Sequence, residues 1–99
     1  MRFPLFGLSD GPEWEQSVRD AEQEVFEGGG DLERFEANQH ALQDVLEYDP
    51  RGHSQPFIGG PDGARVATTR DDAEGYRLVV FFEIKANRSE RKWLVVEWL

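Results

Sequence analysis

The C-terminal quarter of the chain contains two apolar runs separated by a short polar segment. Residues 76–84 and 93–99 are rich in aromatic and β-branched side chains, whereas residues 86–90 between them are polar. Two such runs around a polar turn are typical of a β-hairpin. Because both faces of these strands are apolar, we expect the hairpin either to be covered on both sides or to offer one side to a partner.

The first half of the chain has the spacing of helices. Its first apolar stripe consists of Trp14, Val18, Ala21 and Val25. Spacings of three and four residues predict an amphipathic helix, with Ser9 or Asp10 as its N-cap and the three glycines at 28–30 as its end. Asp31 is the expected N-cap of a second helix that stops at residues 48–50. The apolar side of that helix contains Leu32, Phe35, Leu42, Val45 and Leu46.

The remaining segments predict strands and loops. Residues 3–8 and 64–69 have the composition of short strands, residues 51–63 form a loop rich in glycine and proline, and residues 71–74 form an acidic turn. The resulting order is β-α-α-β-β-β. It predicts a single α+β domain over residues 1–99, in which an antiparallel sheet of about four strands packs on a helical hairpin.

Charge is divided unevenly along the 99 residues, whose net charge is −9. Residues 10–49 carry a balance of −11, whereas residues 50–99 carry +1. The acidic half would repel a phosphate backbone, so RNA or a ribosome would have to meet the sheet half. The chain has no cysteine and no apolar run near the ~18 residues of a membrane helix. We therefore expect a cytoplasmic protein with no cofactor, no metal and no membrane contact.

The element order, together with the residues Gly75-Tyr76-Arg77-Leu78-Val79 that open an apolar strand, resembles the RelE/ParE superfamily of type II toxins. The resemblance implies a strand, a helical hairpin and a three-strand meander. It also implies a small protein that acts on a macromolecular target and is neutralised by an antitoxin partner.

The nuclease branch of this family implies a role for Arg77 in a catalytic groove. That branch also places lysines along the preceding strand, where this chain has Val66, Ala67 and Thr68. Its further basic and aromatic residues lie beyond the last strand, and this sequence ends at Leu99. The gyrase-poisoning ParE branch has no nuclease site and fits these differences better.

Arg65, Arg70 and Arg77 lie on or beside adjacent predicted strands and would form a cationic patch. Guanidinium groups stabilise phosphate charge well, but their pKa is too high for proton transfer. Tyr76 or His53 would have to supply that step. The alternative is that the arginines pair with the acidic residues of the 71–74 turn. The two histidines, His40 and His53, lack the spacing of metal ligands.

Strand alternation divides the 76–84 strand between two faces. Tyr76, Leu78, Val80, Phe82 and Ile84 should meet the helices, and Arg77, Val79, Phe81, Glu83 and Lys85 should face away. Val79 and Phe81, with Trp98 from the last strand, then predict an exposed apolar strip for a partner or a second copy. The alternative is that the N-terminal segment or the 51–63 loop covers this strip.

Three functions are therefore compatible with the sequence. The first is a RelE/ParE-like toxin, or a toxin-derived protein, that binds a macromolecular target and is neutralised by an antitoxin. The second is a ribosome-dependent mRNA endonuclease that uses Arg77, so enzyme activity is left open. The third is a non-toxic module that forms a homodimer through its open sheet face.

Overall fold

The computed structural model describes residues 6–69 and 75–99. Its elements are β1 (Gly7–Asp10), α1 (Trp14–Glu27), α2 (Leu32–Tyr48), β2 (Gln55–Pro56), β3 (Ala64–Thr68), β4 (Tyr76–Lys85) and β5 (Arg88–Trp98). The α+β class and the predicted order are confirmed, with β2 as an addition inside the expected loop. The start of the predicted 3–8 strand and the acidic turn at 71–74 lie outside the described residues.

Within the described residues the sheet has five strands in the order β1-β5-β4-β3-β2, one more than expected. The strands from β2 to β5 are antiparallel neighbours, but β1 lies parallel to β5, so the sheet is mixed. A parallel neighbour requires a long connection, and here the whole chain between β1 and β5 provides it.

Both helices pack on one side of the sheet. Trp14, Ala21 and Val25 of α1 and Phe35, Leu42 and Leu46 of α2 are buried there. The sheet contributes Ala67, Tyr76, Leu78, Val80, Phe82, Leu94 and Val96 to the same core. The predicted helix-facing side of β4 is confirmed by this packing. None of the described helices combines the length and the apolar character needed to cross a bilayer.

The two helix starts differ from each other. Asp31 caps α2 as predicted, because its Oδ1 accepts a hydrogen bond of 2.9 Å from the Glu33 amide. The prediction for α1 is wrong: Ser9 and Asp10 lie in β1, opposite Glu90 and Arg91, and α1 begins without a side-chain cap. The Asp10 carboxylate instead accepts a hydrogen bond of 2.6 Å from the Arg91 Nε.

A β-bulge in β5 decides which of its side chains meet the helices. Phe81 pairs with Trp93 but Phe82 pairs with Arg91, so Lys92 is one extra residue in β5. The extra residue turns Ser89 and Arg91 toward the helices. There the Ser89 hydroxyl donates to the Leu46 carbonyl at 2.9 Å, and this satisfies an acceptor in the last turn of α2.

Candidate functional site on the open face of the sheet

The side of the sheet that faces away from the helices, here called the open face, is the candidate site. It comprises Ala64, Val66 and Thr68 of β3, Arg77, Val79, Phe81, Glu83 and Lys85 of β4, and Arg88, Glu90, Lys92, Trp93, Val95 and Glu97 of β5. Within residues 6–69 and 75–99, both helices pack on the other side.

Three aromatic rings contact one another in succession on this face and are here called the aromatic row. The Phe57 and Phe81 centroids lie 5.3 Å apart with an edge-to-face geometry, and the Phe81 and Trp93 centroids lie 5.5 Å apart. Phe57 is 41% exposed, and Trp93 and the neighbouring Val95 are each 40% exposed. The row is thus a connected apolar surface that water still reaches.

Small residues allow Phe57 to join the row from the loop after β2. A Cβ atom on Gly60 would lie 2.7 Å from the Phe57 ring and 3.1 Å from the Ala64 Cβ, so the ring rests on a bare backbone. The Phe57 amide also donates to the Ala64 carbonyl at 2.9 Å. Phe57 of the 51–63 loop therefore covers part of Phe81 and adds its own partly exposed ring to the apolar strip, and the next residue, Ile58, is 93% exposed.

The three predicted partner-binding residues have different outcomes. Val79 and Phe81 lie on the open face as predicted, although their neighbours leave Val79 only 7% exposed. Trp98 does not: its ring lies 5.4 Å from that of Tyr76 and against Gly28 at the end of α1. Trp93 takes the place that was predicted for Trp98.

The sequence contained one signal for this placement. Alternation puts Trp93, Val95 and Glu97 on one side of β5, and Leu94, Val96 and Trp98 on the other. Both sets are apolar except for Glu97, whose charge marks its own side as the one exposed to solvent.

One end of the open face carries a cluster of charges beside the hairpin turn, here called the tip cluster. It consists of Glu83, Lys85, Arg88, Glu90 and Lys92. The Lys92 ammonium group lies 3.5 Å from Glu83 and also contacts Glu90, and Lys85 lies 3.3 Å from Glu90. The two glutamates are only 16% exposed, whereas the exposed fractions of the three cations range from 30% to 50%. The cluster therefore shows mainly positive charge to a partner.

The ionisation of this cluster follows from its contacts. The hydrogen bond from Lys92 lowers the pKa of the Glu90 carboxyl. Burial raises this pKa but offsets only part of the decrease. The same bond raises the pKa of Lys92. Both groups are therefore charged at neutral pH.

The predicted catalytic residues are not brought together. Arg65 lies on the helix side opposite Phe82 and donates to the Ser54 hydroxyl at 2.6 Å and to the Ser54 carbonyl at 3.0 Å. Arg77 lies on the open face, where its Nη2 and Nε donate to one Glu97 oxygen at 2.6 and 3.0 Å. Tyr76 is 1% exposed in the core, and Arg70 lies outside the described residues. Adjacent strand residues point to opposite faces, which is why these groups separate.

A groove of about 830 Å³ between α2 and β3 does bring His53 and Arg77 to one lining. His53 Nε2 lies 3.6 Å from the Asp49 carboxylate, and both side chains are about half exposed. The rest of the lining is uncharged and includes Asn38, Gln55, Thr68 and Thr69. Among the described residues, no group of three or more His, Cys, Asp and Glu side chains is placed to hold a metal ion.

No family model, no curated protein and no solved structure matches this chain.

Proposed function

We propose that this chain acts by binding a protein partner through the open face of its sheet. The observation that carries the proposal is the aromatic row, which is connected, partly exposed and free of any helix in the described residues. Contiguous apolar surface of this kind on a small domain marks an interaction site, and aromatic side chains are enriched at the centres of interfaces.

The free energy gained by burying the exposed apolar side chains of this face is large enough for recognition of a partner. Fully burying one large apolar side chain contributes about 1.5–3 kcal/mol. Phe57, Trp93 and Val95 each still have about two fifths of their surface to bury. A few such residues at the centre of an interface dominate its affinity.

A protein partner fits the electrostatics better than a nucleic acid does. The chain carries a net charge of −9, and each cation of the tip cluster already lies near a glutamate. Arg77, at the other end of the face, is held by Glu97. Neutralising many phosphates requires a large surplus of cations, whereas the four described cations of this face lie beside three glutamates.

We propose that the biological class of this binding activity is that of a RelE/ParE-like toxin or a protein derived from one. Two features support this: the order of the elements, with a helical hairpin on one side of the sheet, and the start of β4 at Tyr76 directly after Gly75. Expression of the chain alone should then arrest growth, and co-expression of an antitoxin from a neighbouring gene should restore it. Harmless expression would favour a non-toxic interaction module.

The test of the binding face uses this growth phenotype with a matched pair of variants. Trp93→Ser combined with Val95→Thr should abolish the arrest, because it removes apolar surface from the open face alone. Phe26→Ser is the control, since Phe26 is an apolar side chain on α1 that is 67% exposed. Arrest that survives the double variant would overturn the proposal, and so would equal loss of arrest in the control.

The groove lined by His53 and Arg77 favours an mRNA endonuclease as the second candidate function. In that case Arg77 would stabilise phosphate charge and His53 would transfer a proton. Arg77→Ala separates the two candidates: binding centred on the aromatic row predicts at most a partial loss of arrest, because Arg77 lies at the end of the face, whereas cleavage predicts its complete loss. Circular dichroism of the purified variant confirms that the fold persists.

A further inference from the structure

We infer that a groove between α1 and α2, here called the interhelical groove, binds a free amino acid. Arg91 would hold the carboxylate of this ligand, and its ammonium group would lie beside Glu22 and Glu36. The groove lies on the helical side of the sheet, so this site is separate from the open face and its ligand does not depend on the proposed function. The inference rests on the placement of Arg91, on the donors that its guanidinium has left, and on the carboxylates around it.

The interhelical groove lies where the two helices and the sheet meet. It has a volume of about 500 Å³, and most of its lining comes from one face of α2, where the lining residues between Leu32 and Gln43 recur at spacings of three and four. Glu22 is contributed by α1 and Arg91 by β5. The volume is within the range of roughly 300–1,000 Å³ that is usual for small-molecule sites.

Arg91 is a charged residue on the side of β5 that packs under the helices. The bulge at Lys92 turns it to that side, and its side chain is only 13% exposed. Burial removes water from the N–H donors of a guanidinium, so each donor needs another partner. Asp10 is such a partner for one of them, because its Oδ1 accepts a hydrogen bond of 2.6 Å from the Arg91 Nε.

The contacts of Arg91 orient its guanidinium and leave the outer edge of the group available. Besides the hydrogen bond of its Nε to Asp10, its central carbon lies 4.3 Å from the centroid of the Trp14 ring. Asp10 and Trp14 line an adjoining hollow, whereas Arg91 lines the interhelical groove. No described residue accepts a hydrogen bond from the two terminal nitrogens of Arg91. A guanidinium fixed in this way presents parallel donors that match the two oxygens of a carboxylate.

The charges around Arg91 disfavour a purely anionic ligand. Glu22 and Glu36 line the same groove and are exposed, and residues 10–49 carry a balance of −11. These charges repel phosphate and other simple anions. A ligand with an ammonium group close to its carboxylate satisfies both the arginine and the glutamates and has no net charge. The α-amino acids are the class of small molecule with this arrangement.

The side chain of the bound amino acid should be apolar. Leu32 lines the groove and is 38% exposed, and Phe35 is buried beside it. An aliphatic side chain in contact with Leu32 would remove further apolar surface from water, which stabilises the complex. L-Leucine is therefore the probe for the test.

The test is a titration of the ¹⁵N-labelled full chain with L-leucine, followed through amide chemical shifts. Saturable shifts should be confined to the groove, for example at Gln39 and His40. L-Leucinamide lacks the carboxylate and N-acetyl-L-leucine lacks the ammonium group. Each should bind at least about tenfold more weakly, because one charge-assisted interaction is lost. These two compounds also resemble the two ends of a peptide, so the comparison separates a free amino acid from a peptide terminus.

Variants of the lining locate the two charges of the ligand. Arg91→Gln should abolish leucine binding. Glu22→Gln combined with Glu36→Gln should remove the preference for the ammonium group, so that N-acetyl-L-leucine binds as tightly as leucine. Unfolding does not produce this change of preference, and both glutamates are exposed. Glu24→Gln is the matched control, because Glu24 is an exposed carboxylate on α1 outside the groove lining, and it should keep the preference.

Three results would overturn the inference. The first is the absence of shifts at about 10 mM L-leucine, where a site with a Kd of about 1 mM would be almost filled. The second is equal binding of leucine and N-acetyl-L-leucine by the parent chain, which would show a site for a carboxylate alone. The third is equal binding of leucine and L-leucinamide, which would leave Arg91 without a role. The growth phenotype of the open-face variants decides the proposed function separately, since those variants do not touch this groove.

Discussion

At the scale of single residues, the backbone at Ala86 is in an unfavourable conformation. The hairpin between β4 and β5 closes through Ala86 and Asn87, and Ala86 has φ of 52°. An L-residue with a Cβ atom loses about 1–2 kcal/mol in the left-handed region, whereas glycine does not. The two-residue turn sets the register of the longest strand pair, and the pairing of β4 with β5 outweighs the strain at Ala86.

Ala86→Gly should stabilise the protein by about 0.5–1 kcal/mol, since relief of the left-handed strain exceeds the added entropy of the unfolded chain. Urea denaturation followed by circular dichroism measures the change. Ala37→Gly is the control, because Ala37 is exposed within α2 and the same substitution there should destabilise by about 1 kcal/mol. A loss of stability at residue 86 would contradict the expected strain.

At the scale of elements, β5 is protected along its edge by two successive segments. β1 pairs with residues 88–91 of β5 and ends there. Beyond that point α1 takes over, because the Ser17 hydroxyl accepts a hydrogen bond of 2.9 Å from the Leu94 amide and donates one of 2.7 Å to the Trp14 carbonyl. A helix that satisfies a strand edge in this way removes a site for unwanted pairing.

Ser17→Ala should leave the Leu94 amide without its acceptor and cost about 1–3 kcal/mol. The direct measurement is amide hydrogen exchange, in which Leu94 should lose protection more than Val80, which lies opposite it on β4. Gln16→Ala serves as a control that removes an exposed side-chain hydrogen bond from the same helix. Uniform loss of protection along β5 would mean that Ser17 contributes only to global stability.

The turn-proximal end of the hairpin should make stability dependent on pH. Because the pKa of Glu90 is lowered in the folded protein, its ionised form stabilises the fold above the unfolded pKa of about 4.3. That contribution is lost as the pH falls through the lower, folded pKa. Glu90→Gln should therefore be less stable than the parent at pH 7 and equal to it in strong acid.

Urea midpoints at several acidic and neutral pH values test this dependence. Lys92→Gln removes the main partner and should reproduce most of the effect, since the Lys92 hydrogen bond is the largest cause of the shift. A constant difference between Glu90→Gln and the parent at all pH values would show that the carboxylate charge is not responsible.

At the scale of the whole molecule, net charge is divided unevenly between the helices and the sheet. Residues 10–49 include the helical hairpin and carry a balance of −11, whereas the open face lies on strands from the near-neutral half. The acidic helices repel one another, and packing of the core must exceed this repulsion. The same charge keeps other anionic surfaces away from the helical side and leaves the open face as the side most favourable for contact.

Raising the salt concentration should stabilise this protein, because screening weakens the repulsion within the hairpin more than it weakens the few ion pairs of the tip cluster. The urea midpoint should increase between low and about 1 M NaCl, where the screening length falls to about 3 Å. A variant with Glu24→Gln and Glu36→Gln, both exposed positions, should gain less from salt. A midpoint that falls with salt would show that ion pairs outweigh the repulsion.

The sequence predicted those parts of the fold that follow from a local pattern, such as a regular spacing of apolar residues or a capping residue. The α1 stripe from Trp14 to Val25 and the Asp31 cap are local signals, and the structure confirms both. β2 has only Gln55 and Pro56, which is too short for any period. The parallel pairing of β1 depends on contacts about eighty residues away, and this pairing also displaced Ser9 and Asp10 from their predicted capping role.

The candidate site was predicted only in part, for similar reasons. Val79 and Phe81 lie on a strand whose opposite face is wholly apolar, so alternation assigned them correctly. β5 is apolar on both sides, so alternation alone does not show which side faces the helices. Its bulge at Lys92 shifts the later residues of β5 by one position relative to β4, and Trp98 therefore lies on the face opposite to the predicted one. Phe57 joins the row through tertiary contact alone, which no local pattern indicates.

The hydrogen bond from the Leu94 amide to the Ser17 hydroxyl makes resistance to aggregation depend on the packing of α1 against β5. If α1 is lost by truncation or released on heating, the strand edge from Leu94 to Trp98 is left uncovered, and Glu97 is the one charged residue among its four apolar ones. An uncovered strand edge of this kind is a template for edge-to-edge pairing with copies of itself. Shortened forms of the chain that begin after residue 27 should therefore form fibrils instead of remaining dispersed.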